Sequence, residues 1–106
     1  MNKAIIALGA NIDPDINIAR AKKIIAENYN ILAESDIVET EPIGYSRQPN
    51  FLNGAVLIET KLTRTELRKW LKRVENRLGR IRTANKYGPR TIDLDIVVWN
   101  NKMVDN

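Results

Sequence analysis

Residues 63–79 read TRTELRKWLKRVENRLG and carry the clearest structural pattern in the sequence. Thr63 and Glu66 form a T-x-x-E capping box, which is the sequence signature of a helix N-terminus. Gly79 ends the pattern, since glycine commonly follows the last turn of a helix. Between these limits, apolar residues recur at helical spacing and form one face: Leu67, Trp70, Leu71, Val74 and Leu78. The stretch therefore predicts an amphipathic helix that packs on a core.

Strand patterns flank this helix on both sides. Residues 51–59 precede it and residues 92–99 follow it, and both segments are rich in apolar and β-branched residues. Near the start of the chain, residues 4–8 are a continuous apolar run that ends at a glycine, which is typical of a buried strand. Residues 31–37 alternate between apolar and polar, apart from Leu32, and predict a half-buried strand.

A second helix is predicted after the first strand. Asp13 and Pro14 favour a helix start, with an acid at the N-cap and proline at the first helical position. One apolar face follows, at Ile18, Ala21, Ile25 and Tyr29. The element order is therefore β-α-β-β-α-β, which predicts one α+β domain over residues 1–106. We expect a ferredoxin-like sandwich, with two helices on one face of a four-stranded antiparallel sheet. Right-handed crossovers place the first and last strands at adjacent or edge positions.

Composition excludes several classes of protein. The chain has 106 residues and no cysteine or histidine, which rules out disulfides, thiolate or imidazole metal sites and Ser–His or Cys–His catalysis. No apolar run approaches about 18 residues, so we expect no membrane span. The absence of cysteine fits a cytoplasmic location. The net charge of +4 favours anionic partners.

The last strand carries two acids within an apolar run. Because side chains alternate along a strand, Asp93 and Asp95 share one face and stand about 7 Å apart at their Cα atoms. That spacing suits a hard cation whose remaining ligands are phosphate oxygens. The alternative is a solvated strand face with two surface acids. The apolar residues of the strand are predicted to share the opposite face: Ile92, Leu94, Ile96 and Val98.

Basic residues surround the end of the second helix and the loop that leads into this strand: Arg77, Arg80, Arg82, Lys86 and Arg90. Guanidinium groups bind phosphate in a forked geometry. A basic loop beside a carboxylate pair predicts a site for a polyphosphate and its metal. The alternative is a solubilising basic loop. No G-x-x-x-x-G-K-[ST] run occurs, so the phosphate-binding loop of the P-loop proteins is excluded.

The loop and strand together resemble a known family. Residues 88–96, GPRTIDLDI, are similar to the signature of 6-hydroxymethyl-7,8-dihydropterin pyrophosphokinase. Further segments resemble the same family in the same order along the chain: residues 7–11 (ALGAN), residues 39–44 (ETEPIG) with 48–53 (QPNFLN), and Glu75 with residues 78–82 (LGRIR). The family's ferredoxin-like core agrees with the element order predicted above.

The resemblance implies a role for each matching residue. Asp93 and Asp95 would hold two Mg²⁺ ions together with ATP, while Arg80 and Arg90 would be the catalytic residues that bind the phosphates. The nucleotide would contact Glu75, Arg82 and Ile96. The pterin would contact Thr40, Pro42, Ile43, Phe51 and Asn53. Structural alternatives stay open, with Phe51 as a core residue, Asn53 as a partner of a strand end and Asn11 as a turn residue.

The implied function is a magnesium-dependent transferase of folate biosynthesis. It would move pyrophosphate from ATP to 6-hydroxymethyl-7,8-dihydropterin, as a cytoplasmic enzyme. The alternative is a catalytically weak or inactive module of the same fold that binds a nucleotide, a pterin or nucleic acid. Nucleic acid is disfavoured because the sequence has few aromatic residues and because two acids would repel a phosphate backbone.

The chain departs from the family's pattern in two ways. Members of this family usually continue past the position of Asn106, and the family often has a lysine where Thr83 stands in this chain. We also expect the flank of the last strand to lack a covering segment. Because exposed edge strands pair readily, the sequence predicts a homodimer. The alternative is a monomer whose edge is blunted by polar residues: Asn100, Asn101 and Lys102.

Overall fold

A computed structural model of the chain describes residues 1–44, 47–80 and 88–104. Within these ranges the chain forms two helices and six strands, and the predicted β-α-β-β-α-β order is present with two short strands added. The elements are β1 (Asn2–Ala10), α1 (Pro14–Asn28), β2 (Asn30–Glu34), β3 (Val38–Thr40), β4 (Phe51–Thr60), α2 (Arg64–Arg77), β5 (Asp93–Trp99) and β6 (Lys102–Met103).

The strands form one antiparallel sheet in the order β2-β4-β1-β5-β6, and β3 also pairs with β4. The α+β class is therefore confirmed, but the prediction of four strands is wrong, because the described residues form six. The two additions are short and lie at the edges, where the sequence gives few signals. The first and last long strands, β1 and β5, are adjacent, as right-handed crossovers predicted.

One face of the sheet packs on both helices and forms the core. In β1, every second residue from Ala4 to Ala10 is buried, which is the alternation expected of a strand with one buried face. Tyr29 and Trp70 join the helices edge to face, with ring centroids 4.8 Å apart. The other core side chains come from both helices, from β4 and β5, and from the positions just after α2 and just before β5: Ile18, Ala21, Ile25, Val56, Ile58, Leu67, Leu71, Val74, Leu78, Ile92, Leu94 and Ile96.

The start of α1 differs from the prediction. Pro14 occupies the first turn, but the Asp13 side chain makes no capping hydrogen bond. The backbone of Asp13 is left-handed, with φ 42° and ψ 52°, whereas a capping acid adopts an extended backbone. An amide from within the helix contacts this turn instead, since Asn17 Nδ2 donates to the Ile12 carbonyl at 2.7 Å.

Two bulges change the faces that the sequence assigned. In β2 the pairing passes from Ile31 to Ala33 and leaves Leu32 as the extra residue, which is the position that broke the predicted alternation. In β5 the pairing jumps across Val97 in the same way. Val98 therefore lies on the face opposite to Ile96, so its predicted place beside Ile96 is wrong. Trp99 packs against the core instead.

The end of β5 has a covering segment, contrary to the expectation from sequence. Asn100 and Asn101 both have positive φ, 47° and 69°, which suits a two-residue hairpin turn and is a conformation that asparagine tolerates. The turn lets β6 pair with Val98 and Trp99, and Val104 N donates to the Val97 carbonyl at 3.1 Å. No helix among the described residues is both long and apolar enough to cross a membrane.

The predicted capping box of α2 is confirmed. Thr63 Oγ1 accepts a hydrogen bond from Glu66 N at 3.2 Å, and Glu66 Oε1 accepts one from Thr63 N at 2.9 Å. The hydrogen bond from the Thr63 backbone lowers the pKa of the Glu66 carboxyl. At the other end, Gly79 adopts a φ of 86°, which a residue with a Cβ rarely adopts.

We predict that Thr63→Ala destabilises the protein by about 0.5–2 kcal/mol, because the helix loses a side-chain acceptor for one of its first N–H groups. Urea unfolding followed by circular dichroism measures this change. Thr65→Ala is the matched control, since Thr65 is an exposed residue of the same helical turn and should change stability little. Equal losses in the two variants would contradict the capping assignment.

Candidate active site

The open face of the sheet carries a row of polar residues across three strands. Gly9 in the central strand β1 pairs with Asn53 of β4 on one side and with Asp93 of β5 on the other. Directly paired residues of an antiparallel sheet point to the same face. A Cβ on Gly9 would lie 3.1 Å from Asn53 Oδ1, so the absent side chain leaves room for that amide. The next row is formed by Ala7 and Asp95.

A cavity of about 520 Å³ opens over these rows. It brings together the two acids and one arginine that the sequence singled out, Asp93, Asp95 and Arg90. Most of the predicted pterin contacts line the same cavity: Thr40, Ile43, Phe51 and Asn53. Asn53 Nδ2 donates to Thr40 Oγ1 at 2.7 Å, which ties β4 to the end of β3. Pro42 does not line this cavity.

Two guanidinium groups approach Asp93 from different sides. Arg80 Nη1 lies 3.6 Å from Asp93 Oδ1, and Arg90 Nη1 lies 3.7 Å from Asp93 Oδ2. Arg80 Nη1 also donates to the Ile92 carbonyl at 3.4 Å. Arg80 Nε is buried and has no hydrogen-bond partner in the described part of the chain. These contacts are long for charge-assisted hydrogen bonds, so an anion could replace them at low cost.

Asp95 has a different electrostatic environment. Desolvation raises the pKa of its carboxyl, and the nearby charge of Asp93 raises it further. The cations Lys72, Arg80 and Arg90 oppose this shift in part. A divalent cation between the two carboxylates would relieve their repulsion. No group of three or more acidic side chains that could hold a metal ion occurs among the residues that the structure describes. Two carboxylates plus water and phosphate oxygens are the ligands that Mg²⁺ commonly takes, so the residues fit this ion.

A second depression, of about 540 Å³, borders the first. It is lined by the basic face of α2, at Arg64, Arg68 and Lys72, and by Ile96, for which the sequence predicted contact with the nucleotide. Arg90 and Asp95 line both depressions. The arrangement therefore offers two neighbouring places for ligands, with an acid and a cation where they meet.

The other two predicted nucleotide contacts are Glu75 and Arg82, and of these Glu75 lies among the described residues. Glu75 is 2% exposed and lines neither depression, and its Oε2 accepts a hydrogen bond from Leu94 N at 2.7 Å. It therefore supports the backbone between Asp93 and Asp95, and its contact with a nucleotide stays a prediction. Arg82 and Lys86 lie outside the described residues.

Asn11 is the residue whose contacts the sequence did not predict. It belongs to a segment that resembles the family, and a turn residue was the structural alternative. Its side chain is 2% exposed and hydrogen-bonds residues 37 or more positions away. The available signal was an amide side chain two residues after the glycine that ends the first apolar run. That signal does not indicate which distant segments the amide would contact.

The comparisons with known proteins identify relatives along nearly the whole chain. The family described as 7,8-dihydro-6-hydroxymethylpterin-pyrophosphokinase (HPPK) matches residues 5–104. The Bacillus subtilis protein named 2-amino-4-hydroxy-6-hydroxymethyldihydropteridine pyrophosphokinase is 40% identical over 107 residues, which cover 98% of this chain and 64% of that protein. The Haemophilus influenzae protein of the same name is 35% identical over 109 residues, covering 100% of this chain and 68% of the relative.

A longer relative matches as well. The protein named folate synthesis bifunctional protein from Arabidopsis thaliana is 36% identical over 104 residues, which cover 96% of this chain and 22% of that protein. The chain therefore spans a little under two thirds of the Bacillus subtilis relative and a smaller share of the plant protein.

We predict that Asp95→Asn stabilises the ligand-free protein at pH 7, whereas Asp93→Asn does not. The raised pKa of Asp95 means that its charged form is less favourable in the folded than in the unfolded chain. The cost is present above the folded pKa and disappears as the pH falls below the unfolded value. Asp93→Asn instead removes the partner of Arg80 and Arg90. Thermal unfolding at pH 7 and at pH 3.5 measures both, and an equal response of the variants would contradict the assignment.

Proposed function

Because the chain belongs to the 7,8-dihydro-6-hydroxymethylpterin-pyrophosphokinase family, we propose that it transfers pyrophosphate from ATP to 6-hydroxymethyl-7,8-dihydropterin in folate biosynthesis. The observation that carries this proposal is the junction of the two depressions at Arg90 and Asp95. A reaction between two substrates needs two sites whose ligands meet at the reacting atoms. The cavity beside Asn53 is lined by both polar and apolar side chains, which suits a pterin ring. The basic depression beside α2 suits a nucleotide.

Recognition of the pterin is assigned to the end of the sheet. Asn53 and Thr40 present an amide and a hydroxyl at the cavity, which can hydrogen-bond the ring edge, and Phe51 offers an apolar wall. Ile43 is 80% exposed beside them and would lose water contact when a ring binds. Pro42 lies between β3 and β4, and its contact with the pterin stays a prediction.

The metal role is assigned to Asp93 and Asp95. We propose that they hold two Mg²⁺ ions together with the phosphates of ATP, and when bound these ions would neutralise phosphate charge and orient the phosphate oxygens. The two carboxylates suffice on the protein side because Mg²⁺ retains water and takes substrate oxygens. Glu75 supports this geometry from behind, through its hydrogen bond to Leu94 N.

The arginines are assigned to the transferring group. In the proposed step the hydroxymethyl oxygen attacks the β-phosphorus, the bond from that phosphorus to the AMP oxygen breaks, and the hydroxyl proton is released. Arg80 and Arg90 would stabilise the negative charge on the phosphate oxygens in this step. Arg82, outside the described residues, is proposed to contact the nucleotide together with Ile96. The absence of histidine is compatible with this chemistry, because positioning and charge stabilisation dominate it.

Three further expectations belong to the proposal. The four long strands in the order β2-β4-β1-β5 support a ferredoxin-like classification. A cytoplasmic location fits a substrate such as ATP.

The homodimer stays a prediction, although β6 covers one end of the edge strand on which that prediction was based. Sedimentation at several concentrations tests it, and a strictly monomeric species at high micromolar concentration would contradict it.

The proposed function is tested by titration calorimetry with a non-hydrolysable ATP analogue, with and without Mg²⁺ and the pterin. We expect magnesium-dependent binding of the analogue and binding of the pterin beside it. An assay of AMP release with both substrates then measures turnover. Binding without turnover would favour the alternative of an inactive nucleotide or pterin module. Absence of binding to either substrate would overturn the proposal.

We predict that Asp95→Asn weakens binding of the magnesium–nucleotide complex by at least about tenfold while the fold is retained, because one of two carboxylate ligands is lost. Arg77→Ala is the matched control, since Arg77 is exposed on α2 and lines neither depression. Calorimetry of both variants at equal Mg²⁺ measures the difference. Unchanged nucleotide affinity in Asp95→Asn would end the assignment of the metal site.

We predict that Arg90→Lys lowers kcat/KM by at least about tenfold, because an ammonium group cannot make the forked contact of a guanidinium with phosphate oxygens. Steady-state kinetics with both substrates measures the loss. Arg77→Lys should be silent in the same assay. If both substitutions had equal effects, a diffuse basic surface rather than a positioned guanidinium would be the explanation.

A further inference from the structure

The Asn11 side chain joins the two loops that border the candidate active site. Its Oδ1 accepts a hydrogen bond from Arg90 N at 2.8 Å. Its Nδ2 donates to Gln48 Oε1 at 2.7 Å and to the Pro49 carbonyl at 3.0 Å. One buried amide at the end of β1 thus contacts the segment that enters β4 and the segment that enters β5.

The orientation of this amide follows from its backbone partners. The Pro49 carbonyl is an acceptor and needs the amide NH₂, while Arg90 N–H is a donor and needs the amide oxygen. Both hydrogens of the NH₂ group are used, since the second one reaches Gln48 Oε1. A carboxylate has the required acceptor but no donor, and a hydroxyl reaches fewer partners. The site therefore calls for asparagine.

The backbone reinforces the contact with the second loop. Asn11 N and Ile12 N both donate to the Arg90 carbonyl, at 3.0 and 3.1 Å. Arg90 is thus held through its own N–H and carbonyl groups at the point from which its side chain reaches Asp93. On the other side, Gln48 and Pro49 precede Phe51 and Asn53, which line the cavity.

We propose that Asn11 is a positioning residue that couples the two substrate sites of the proposed reaction. The inference rests on the proposed function, because that function assigns the β4 side to the pterin and the Arg90 side to the phosphates. The amide contacts neither cavity itself. It fixes the backbone of Arg90 and of the segment before β4 in one relative position, so that the two substrate sites keep the relative placement that the proposed reaction needs.

Two substitutions distinguish the contact with Arg90 from the contacts with Gln48 and Pro49. Asn11→Ala removes every side-chain hydrogen bond, and we expect roughly tenfold losses in affinity for both the pterin and the magnesium–nucleotide complex. Asn11→Asp keeps the acceptor for Arg90 N but places a carboxylate oxygen against Gln48 Oε1 and the Pro49 carbonyl. We expect it to lose about tenfold in pterin affinity and less than about threefold in nucleotide affinity.

Asn17→Ala is the structural control. Asn17 is also a buried asparagine, 6% exposed, and its amide donates to the nearby Ile12 carbonyl at 2.7 Å. We expect this variant to lose stability while it retains both affinities in the folded state. Equal losses of affinity in Asn17→Ala and Asn11→Ala would show that the effect is general destabilisation, and would overturn the proposal.

Amide hydrogen exchange gives a readout that needs no ligand. Exchange at Arg90 N–H should accelerate in Asn11→Ala but stay slow in Asn11→Asp, while residues 50–53 should exchange faster in both variants. Unchanged protection in Asn11→Ala would overturn the coupling, whatever the affinities show. If the wild-type chain binds neither substrate but the two variants show this exchange pattern, the proposed function is overturned and the link between the two segments is retained.

Discussion

The pairing of β1 with β4 on one side and β5 on the other locates the residues of the candidate site. Because Gly9 is the shared partner of Asn53 and Asp93, these two side chains stand in one row across the sheet. A shift of either neighbour by one residue would turn its functional side chains into the core. The burial of Val56 and Ile58 in β4, and of Leu94 and Ile96 in β5, opposes that shift, since it would expose these side chains to water. Core packing on one face thus sets the chemistry on the other.

Much of this architecture was accessible from sequence. The α2 helix was marked by its capping box and apolar face, and the alternation in β5 placed Asp93 and Asp95 on the open face. The positions of the bulges could not be predicted from the sequence, because a bulge depends on the pairing of two distant strands. Leu32 interrupted the alternation and so left a trace in the sequence. Val97 left none, because the residues on both sides of it are apolar.

The candidate site was likewise predicted only in part from the sequence. Asp93 and Asp95 were predicted with their face, and the cavity brings them together with most of the residues for which the resemblance implied contact with the pterin. The contacts of Asn11 and Glu75 depend on chain segments 37 to 79 and 19 residues away, respectively. A single sequence does not state which distant backbone group a buried amide or carboxylate will meet. The resemblance implied a nucleotide contact for Glu75, and Asn11 was weighed as a turn residue, but neither charge nor motif indicated that both side chains would hydrogen-bond distant backbone.

The charges of the candidate site suit the replacement of ion pairs within the protein by contacts with a ligand. Asp93 lies between Arg80 and Arg90 at 3.6 and 3.7 Å, and ion pairs at such distances and partial exposure contribute little to stability. Asp95 has a carboxyl whose pKa is raised by desolvation and by Asp93. A ligand that brings both phosphate and a divalent cation would satisfy the two kinds of group at once, the arginines by phosphate and the carboxylates by metal. Phosphate alone would leave the two carboxylates repelling it, and a metal alone would face the arginines. The charge arrangement therefore favours the combined ligand over either component.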